Sequence, residues 1–117
     1  MEYVRAWAIQ LVCEDGAPTS AELELFAKMA TDDASPVVRL YLASAANRIE
    51  IAKRWPILEG LASHAEDAKD HNLPLMLWYA AEPAVGADIA KGAELLANCK
   101  IPKVQEFITR RIAAGGN

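Results

Sequence analysis

Patterns that carry chemistry are scarce in this chain. Cysteine occurs twice in 117 residues, as Cys13 and Cys99. The two lie far apart with no partnering spacing, so they specify neither a disulfide framework nor a thiolate metal site, and both read as buried or free thiols. No glycine-rich phosphate loop, nucleophile elbow or pair of acids facing a substrate cleft can be named, so catalysis has no support in the sequence. Ser63 and His64 are chain neighbours, not members of a triad. Runs of positive charge are also missing. Lys and Arg total 12 against 16 acidic residues, a net charge of -4, and no cluster of cations could track a phosphate backbone, so no nucleic-acid partner is expected. The apolar opening from Val4 to Val12 is broken by Arg5 and Gln10 and is too short to cross a bilayer, so no direct membrane insertion is expected. Strands are disfavoured as well, because the 53% hydrophobic content is rich in alanine, which suits closely packed helices.

What the chain does contain is a repeat. Val4-Arg5-Ala6-Trp7-Ala8-Ile9 returns as Val38-Arg39-Leu40-Tyr41-Leu42-Ala43, an offset of 34 residues. Pro36-Val37-Val38 is matched by Pro102-Lys103-Val104, 66 residues on, while Pro74 falls a few residues out of register. A period near 34 residues is that of stacked helix pairs, each too small to stand alone. The expected fold class is therefore all-α, an α-α superhelix of about seven helices without strands. Residues 1–117 would form a single helical repeat domain.

The breaks between helices have their own chemistry. Helix one runs to about Cys13, and Gly16 and Pro18 separate it from the next start. Thr19 with Glu22 three residues on is a capping-box signature, and Leu23, Phe26, Ala27 and Ala30 form an amphipathic stripe. Ser35 is placed to cap the following helix, with Pro36 in its first turn. Trp55, Leu58, Leu61, Ala62 and Ala65 mark a further helix, and a polar stretch from Glu66 to Asn72 leads to an apolar helix from Leu73 to Ala81. Pro83 should limit that helix, since the residue before a proline is pushed out of the helical region. Residues 87–97 read as an outer helix with Ile89, Ala93 and Leu96 on one face. Val104, Phe107, Ile108 and Ile112 mark the last helix. Gly60 and Gly92 sit inside helices, where each costs about 1 kcal/mol relative to alanine, so close approach of a neighbour is expected there.

Two constellations stand out against this background. His64, Asp67 and His71, with Glu66 and Asp70 between them, include metal-ligating residue types. Their spacing matches no strong zinc motif, and a solvated connection accounts for them; no metal or other cofactor is assigned to the segment. In the second constellation Asn72 can cap a helix whose Met76, Leu77, Trp78, Tyr79 and Ala80 cover nearly all sides, which reads as a central buried helix. Asn72, Trp78, Tyr79 and Glu82 are the candidates for a partner surface, because Trp and Tyr serve well as interface anchors.

The pattern Asp33-x-x-Pro36-x-Val38-Arg39 resembles HEAT repeats, in which an aspartate before the second helix and an arginine within it form a polar ladder between units. The resemblance implies that structural role for Arg5, Asp33 and Arg39. It also implies an incomplete ladder further on, where Met76-Leu77 and Val104-Gln105 replace Val-Arg. A longer likeness runs through Arg5-Ala6-Trp7-Ala8-Ile9-Gln10-Leu11, Ser35-Pro36-Val37-Val38-Arg39-Leu40, Arg54-Trp55-Pro56, and 70–79 (DHNLPLMLWY) with Glu82-Pro83. These strings resemble the HEAT-like region of large proteins classed as membrane-bound dehydrogenases in planctomycete and verrucomicrobial bacteria. That family carries a β-propeller ahead of the region and a haem-attaching Cys-x-x-Cys-His domain behind it, and its members are exported. Neither part is present here: Cys13 is followed by Glu14-Asp15 and Cys99 by Lys100-Ile101.

The resemblance implies a non-catalytic scaffold or protein-interaction module, excised from a longer chain that is itself an oxidoreductase. Its partners would be the neighbouring domains of that chain or another protein, in an exported or periplasmic setting. The alternatives are a HEAT-like enzyme acting on nucleic acid, such as a DNA glycosylase, and a small metal-binding module. Helix one carries Val4, Trp7, Ala8 and Leu11 with no upstream helix to cover them, and the chain trails off in small residues. Concentration-dependent self-association through Trp7 and Leu11 is therefore expected.

Overall fold

Seven α-helices and two 3-10 turns account for the ordered backbone, and no strand occurs among the described residues. The computed structural model describes residues 1–115; the end of the small-residue tail, Gly116 and Asn117, lies outside them. The helices are α1 (Glu2–Glu14), α2 (Ser20–Asp32), α3 (Pro36–Ala46), α4 (Trp55–Ala62), α5 (Leu73–Ala87), α6 (Ile89–Asn98) and α7 (Pro102–Ala113). The 3-10 turns cover Ile51–Lys53 and Ala65–Lys69, on either side of α4.

Local chemistry sets most of these boundaries. At the start of α2 the Thr19 hydroxyl accepts from the Glu22 backbone N–H at 3.2 Å, while the Glu22 carboxylate accepts from the Thr19 N–H at 2.8 Å, a complete capping box. Ser35 Oγ accepts from the Val38 N–H to open α3, and Pro36 fills a first-turn position where its missing N–H costs nothing. The side chain that caps α5 stands two residues earlier than expected. The Asn72 side chain makes no capping bond; Asp70 Oδ1 instead accepts from the N–H groups of Asn72 at 2.8 Å and Leu73 at 2.9 Å.

The helices lie in two rows. In one, α1 packs on α3, α3 on α5 and α5 on α7; in the other, α2 packs on α4 and α4 on α6. The core between them is built from small and branched side chains, with Ala30, Ala43, Ala46, Ala62, Ala80, Ala81 and Ala84 alongside Ile9, Leu42, Leu58, Leu77, Leu95 and Ile108. The Cα radius of gyration is 13.2 Å, close to the roughly 13 Å of a compact domain of about 100 residues.

Three expectations are corrected. Pro83 does not end α5, which continues to Ala87. The proline nitrogen cannot donate to the carbonyl of Tyr79, but burial of Ala84, Val85 and Gly86 holds the next turn in place. The face of α6 toward the core is centred on Gly92 and Leu95, with Leu96 packed against it, rather than on Ile89 and Ala93. An apolar-residue count overlooks glycine, yet Gly92 is buried because a Cβ there would lie 2.8 Å from Val85 Cγ1. Finally, Tyr79 is 58% exposed, so α5 is not apolar-buried all round.

Gly60 shows why alanine cannot replace glycine everywhere in this interior. An added Cβ would sit 2.8 Å from Ala30 Cβ and 2.9 Å from the backbone nitrogen of Thr31, and a backbone atom cannot rotate away. The substitution Gly60→Ala gains about 1 kcal/mol of helix propensity but forces α2 and α4 apart. A net loss of about 1–2 kcal/mol is expected, read as a lower urea midpoint at unchanged m-value; a raised midpoint would contradict the close approach.

Candidate functional site

The Arg-Asp pattern of the sequence becomes a physical ladder. Arg5 donates from Nε to Asp33 Oδ2 at 2.8 Å and from Nη2 to Asp33 Oδ1 at 3.1 Å. Thirty-four residues on, Arg39 makes the same pair of bonds to Asp67, Nε to Oδ2 at 2.7 Å and Nη2 to Oδ1 at 2.6 Å. Arg39 also donates from Nη1 to the backbone carbonyl of Asp33 at 2.7 Å, which ties one rung to the next. The outer rung is partly wet, with the Arg5 side chain 42% exposed, whereas Arg39 and Asp67 are almost wholly buried. The Arg5 guanidinium, helped by the Ser35 N–H, holds the Asp33 carboxyl below the usual carboxylate range. Asp67 in turn holds the Arg39 guanidinium above its ordinary value.

Asp67, a metal-ligating residue type in the polar stretch, is instead the partner of Arg39, a pairing that local spacing does not reveal. The signal was available: the repeat offset applied to Asp33 lands on Asp67. His64 is engaged in the same scaffold. Its Nε2 lies 2.7 Å from the carbonyl of Ala30 and its Nδ1 2.9 Å from Glu66 Oε2, so the ring joins the end of α2 to the end of α4. His64 holds the Glu66 carboxyl below its usual range. His71 is exposed and apart from this network. Among the described residues no three of His, Cys, Asp and Glu come together in a way that could hold a metal ion.

A second buried guanidinium has no counterpart in the sequence reading. Arg54 donates to the carbonyls of Ile49 at 2.8 Å, Ala80 at 2.9 Å and Asn47 at 3.2 Å, binding the α3–α4 connection to α5. Burial lowers its pKa, and three carbonyl acceptors stand in for a carboxylate. Nothing in the local spacing of Arg54 reports partners on three segments.

The proposed partner-surface residues divide. Trp78 stacks on Phe107 with ring centroids 5.6 Å apart, and Glu82 accepts from Arg111 Nε at 3.1 Å. Both therefore join α5 to α7. Tyr79 faces solvent. Asn72 lies instead at the mouth of a groove of about 410 Å³ that crosses α1, α3 and the start of α5. Gln10 and Glu14 line one wall, Tyr41 and Arg48 the middle, and Asn72 and Met76 the other wall. The groove offers amide, carboxylate, phenol and guanidinium groups beside the apolar side chains of Leu40, Ala45 and Met76. Cys13 lies beside it, but burial pushes the thiols of Cys13 and Cys99 up, so neither is presented as a reactive thiolate. The groove contains no paired nucleophile and base. No family model, curated protein or solved structure matches this chain.

The two rungs should respond differently to truncation. Arg39→Ala leaves the Asp67 carboxylate buried without a counter-charge and is expected to cost about 3–5 kcal/mol, whereas Arg5→Ala, which removes a guanidinium that already reaches water, should cost markedly less. Equal losses in chemical denaturation would contradict a graded ladder. Because the folded-state pKa of Asp33 lies below its unfolded value, its pairing contributes fully above about pH 4. That contribution is lost as pH falls through the lower folded value. Stability of the wild type should therefore fall more steeply below about pH 4 than that of Asp33→Asn, as measured by urea midpoints across the acid range; parallel curves would remove Asp33 from the linkage.

Proposed function

We propose that this chain is a non-catalytic helical-repeat module, a HEAT-like α-solenoid segment that serves as a scaffold for protein contacts. The observation that carries the reading is the recurrence, at one offset, of the same atom pairs in Arg5–Asp33 and Arg39–Asp67. Equivalent units stacked in one register place equivalent residues at equivalent contacts, and a repeated polar pair between successive helix pairs is of that kind. The two rows of helices are consistent with it, each helix packing on the next but one.

The groove across α1, α3 and α5 is the surface best suited to a partner. It is lined by side chains typical of protein recognition, a tyrosine, an arginine and two amides. Its single arginine and single glutamate do not make the basic track that binding a phosphate backbone uses. A glycosylase reading has less support for that reason. The resemblance to the helical region of bacterial membrane-bound dehydrogenases extends the proposal: the segment would join the propeller and haem domains of an exported oxidoreductase.

Two measurements test these statements separately. A photo-reactive phenylalanine analogue at position 41, expressed in the native host, should crosslink to one defined protein, and Arg48→Glu should reduce the yield about tenfold or more, the effect of losing a charged contact worth more than 1 kcal/mol. Crosslinks only to nucleic acid would overturn the scaffold reading. The coding sequence on either side should specify a propeller upstream and a Cys-x-x-Cys-His motif downstream; finding neither would sever the link to a dehydrogenase while leaving the groove in place.

A further inference from the structure

The repeat offset makes α1 and α3 directly comparable, and they differ in one respect. Val38, Leu42 and Ala45 of α3 are buried at 0%, 1% and 7% exposure. Their counterparts one offset earlier are Val4 at 61%, the exposed Ala8, and Leu11 at 62%, with Trp7 on the same helix face at 64%. The residues are equally apolar, so composition does not explain the difference. Neighbours do: α3 is flanked by α1 and α5, whereas α1 packs extensively on α3 alone among the described residues.

The polar side of α1 lacks its neighbour too. Arg39 uses three nitrogens, two on Asp67 and Nη1 on the Asp33 carbonyl of the preceding turn. Arg5 repeats the first two bonds on Asp33. No bond from its Nη1 completes the set among the described residues. The apolar and the polar register thus stop at the same place. The opposite flank is different in kind: the exposed side of α7 carries Lys103, Glu106, Thr109 and Arg110, with Arg110 paired to Glu106 at 2.6 Å.

We infer that the α1 flank is a docking face for one further two-helix unit of the same register, resting on the repeat reading above. The unit lays a helix with an apolar stripe along Val4, Trp7 and Leu11, as α1 lies along α3. Its second helix closes in a turn that offers a backbone carbonyl to Arg5 Nη1, as the Asp33 turn does to Arg39. Head-to-tail addition of a second copy does not provide this, because the exposed side of α7 is polar. An α1-to-α1 contact covers the stripe but brings no turn carbonyl to Arg5.

The full chain with residues 1–34 duplicated ahead of Met1 supplies such a unit in register. Hydrogen exchange of the original α1 amides should slow about tenfold or more, and Leu11→Asp in the original α1 should restore the fast exchange. A second chain, with residues 35–68 duplicated internally, tests the repeat reading alone by its cooperative unfolding. If the internal duplicate folds and the leading duplicate leaves α1 exchange unchanged, the docking face is overturned and the repeat reading stands. If neither duplicate folds as one unit, the repeat reading fails and takes this inference with it. Concentration-dependent dimers of the unmodified chain are expected while the face is bare; dimers in which α1 exchange is slowed as much as in the chain with the leading duplicate would make a second copy the occupant and overturn the inference.

Discussion

The arrangement of this chain depends on one buried guanidinium. Arg39 reaches from the first turn of α3 into two connections at once, holding the Asp67 side chain after α4 and the Asp33 carbonyl after α2. Removing an arginine from water is costly, and the cost is offset only when nearly every N–H finds an acceptor in good geometry. That requirement makes the contact a gauge of position. If α3 slid or rotated by a residue, the planar fork would miss both turns. The apolar core has no comparable selectivity, since alanines and leucines tolerate small shifts against one another.

The rest of the packing accommodates that pin. With Arg39 setting the register, the rows approach closely where side chains are small, as at Gly60 against Ala30 and Thr31 and at Gly92 against Val85. Arg54 does for the α3–α4 connection what Arg39 does for the turns, donating to the backbone carbonyls of Ile49, Ala80 and Asn47 on separate segments. His64 adds a stitch between the ends of α2 and α4. The polar groups nearest the core are therefore largely structural, whereas side chains along the groove and on the outer side of α1 reach solvent.

Much of this was legible locally, and the exceptions have physical causes. The capping box at Thr19, the Ser35 cap and the Pro36 start depend on residues within a turn of each other, so sequence spacing suffices. The partner of Arg39 is 28 residues away and was accessible only through the period, which carries Asp33 onto Asp67. The persistence of α5 past Pro83 was not accessible: local propensity opposes it, and burial of Ala84 and Val85 overrides that preference. The groove was invisible for a related reason. Gln10, Tyr41 and Asn72 belong to separate parts of the chain, and no pairwise spacing records that three helices bring them to one surface.

The sequence by itself determined the helical class, most helix starts and the repeat offset, because these follow from backbone preferences and from apolar spacing within a few residues. Only the tertiary structure decided which acids are paired, which flank of α1 is covered, and where the groove lies. Those outcomes depend on the distance between groups remote in sequence and on how much water remains between them. Neither quantity exists until the helices have packed.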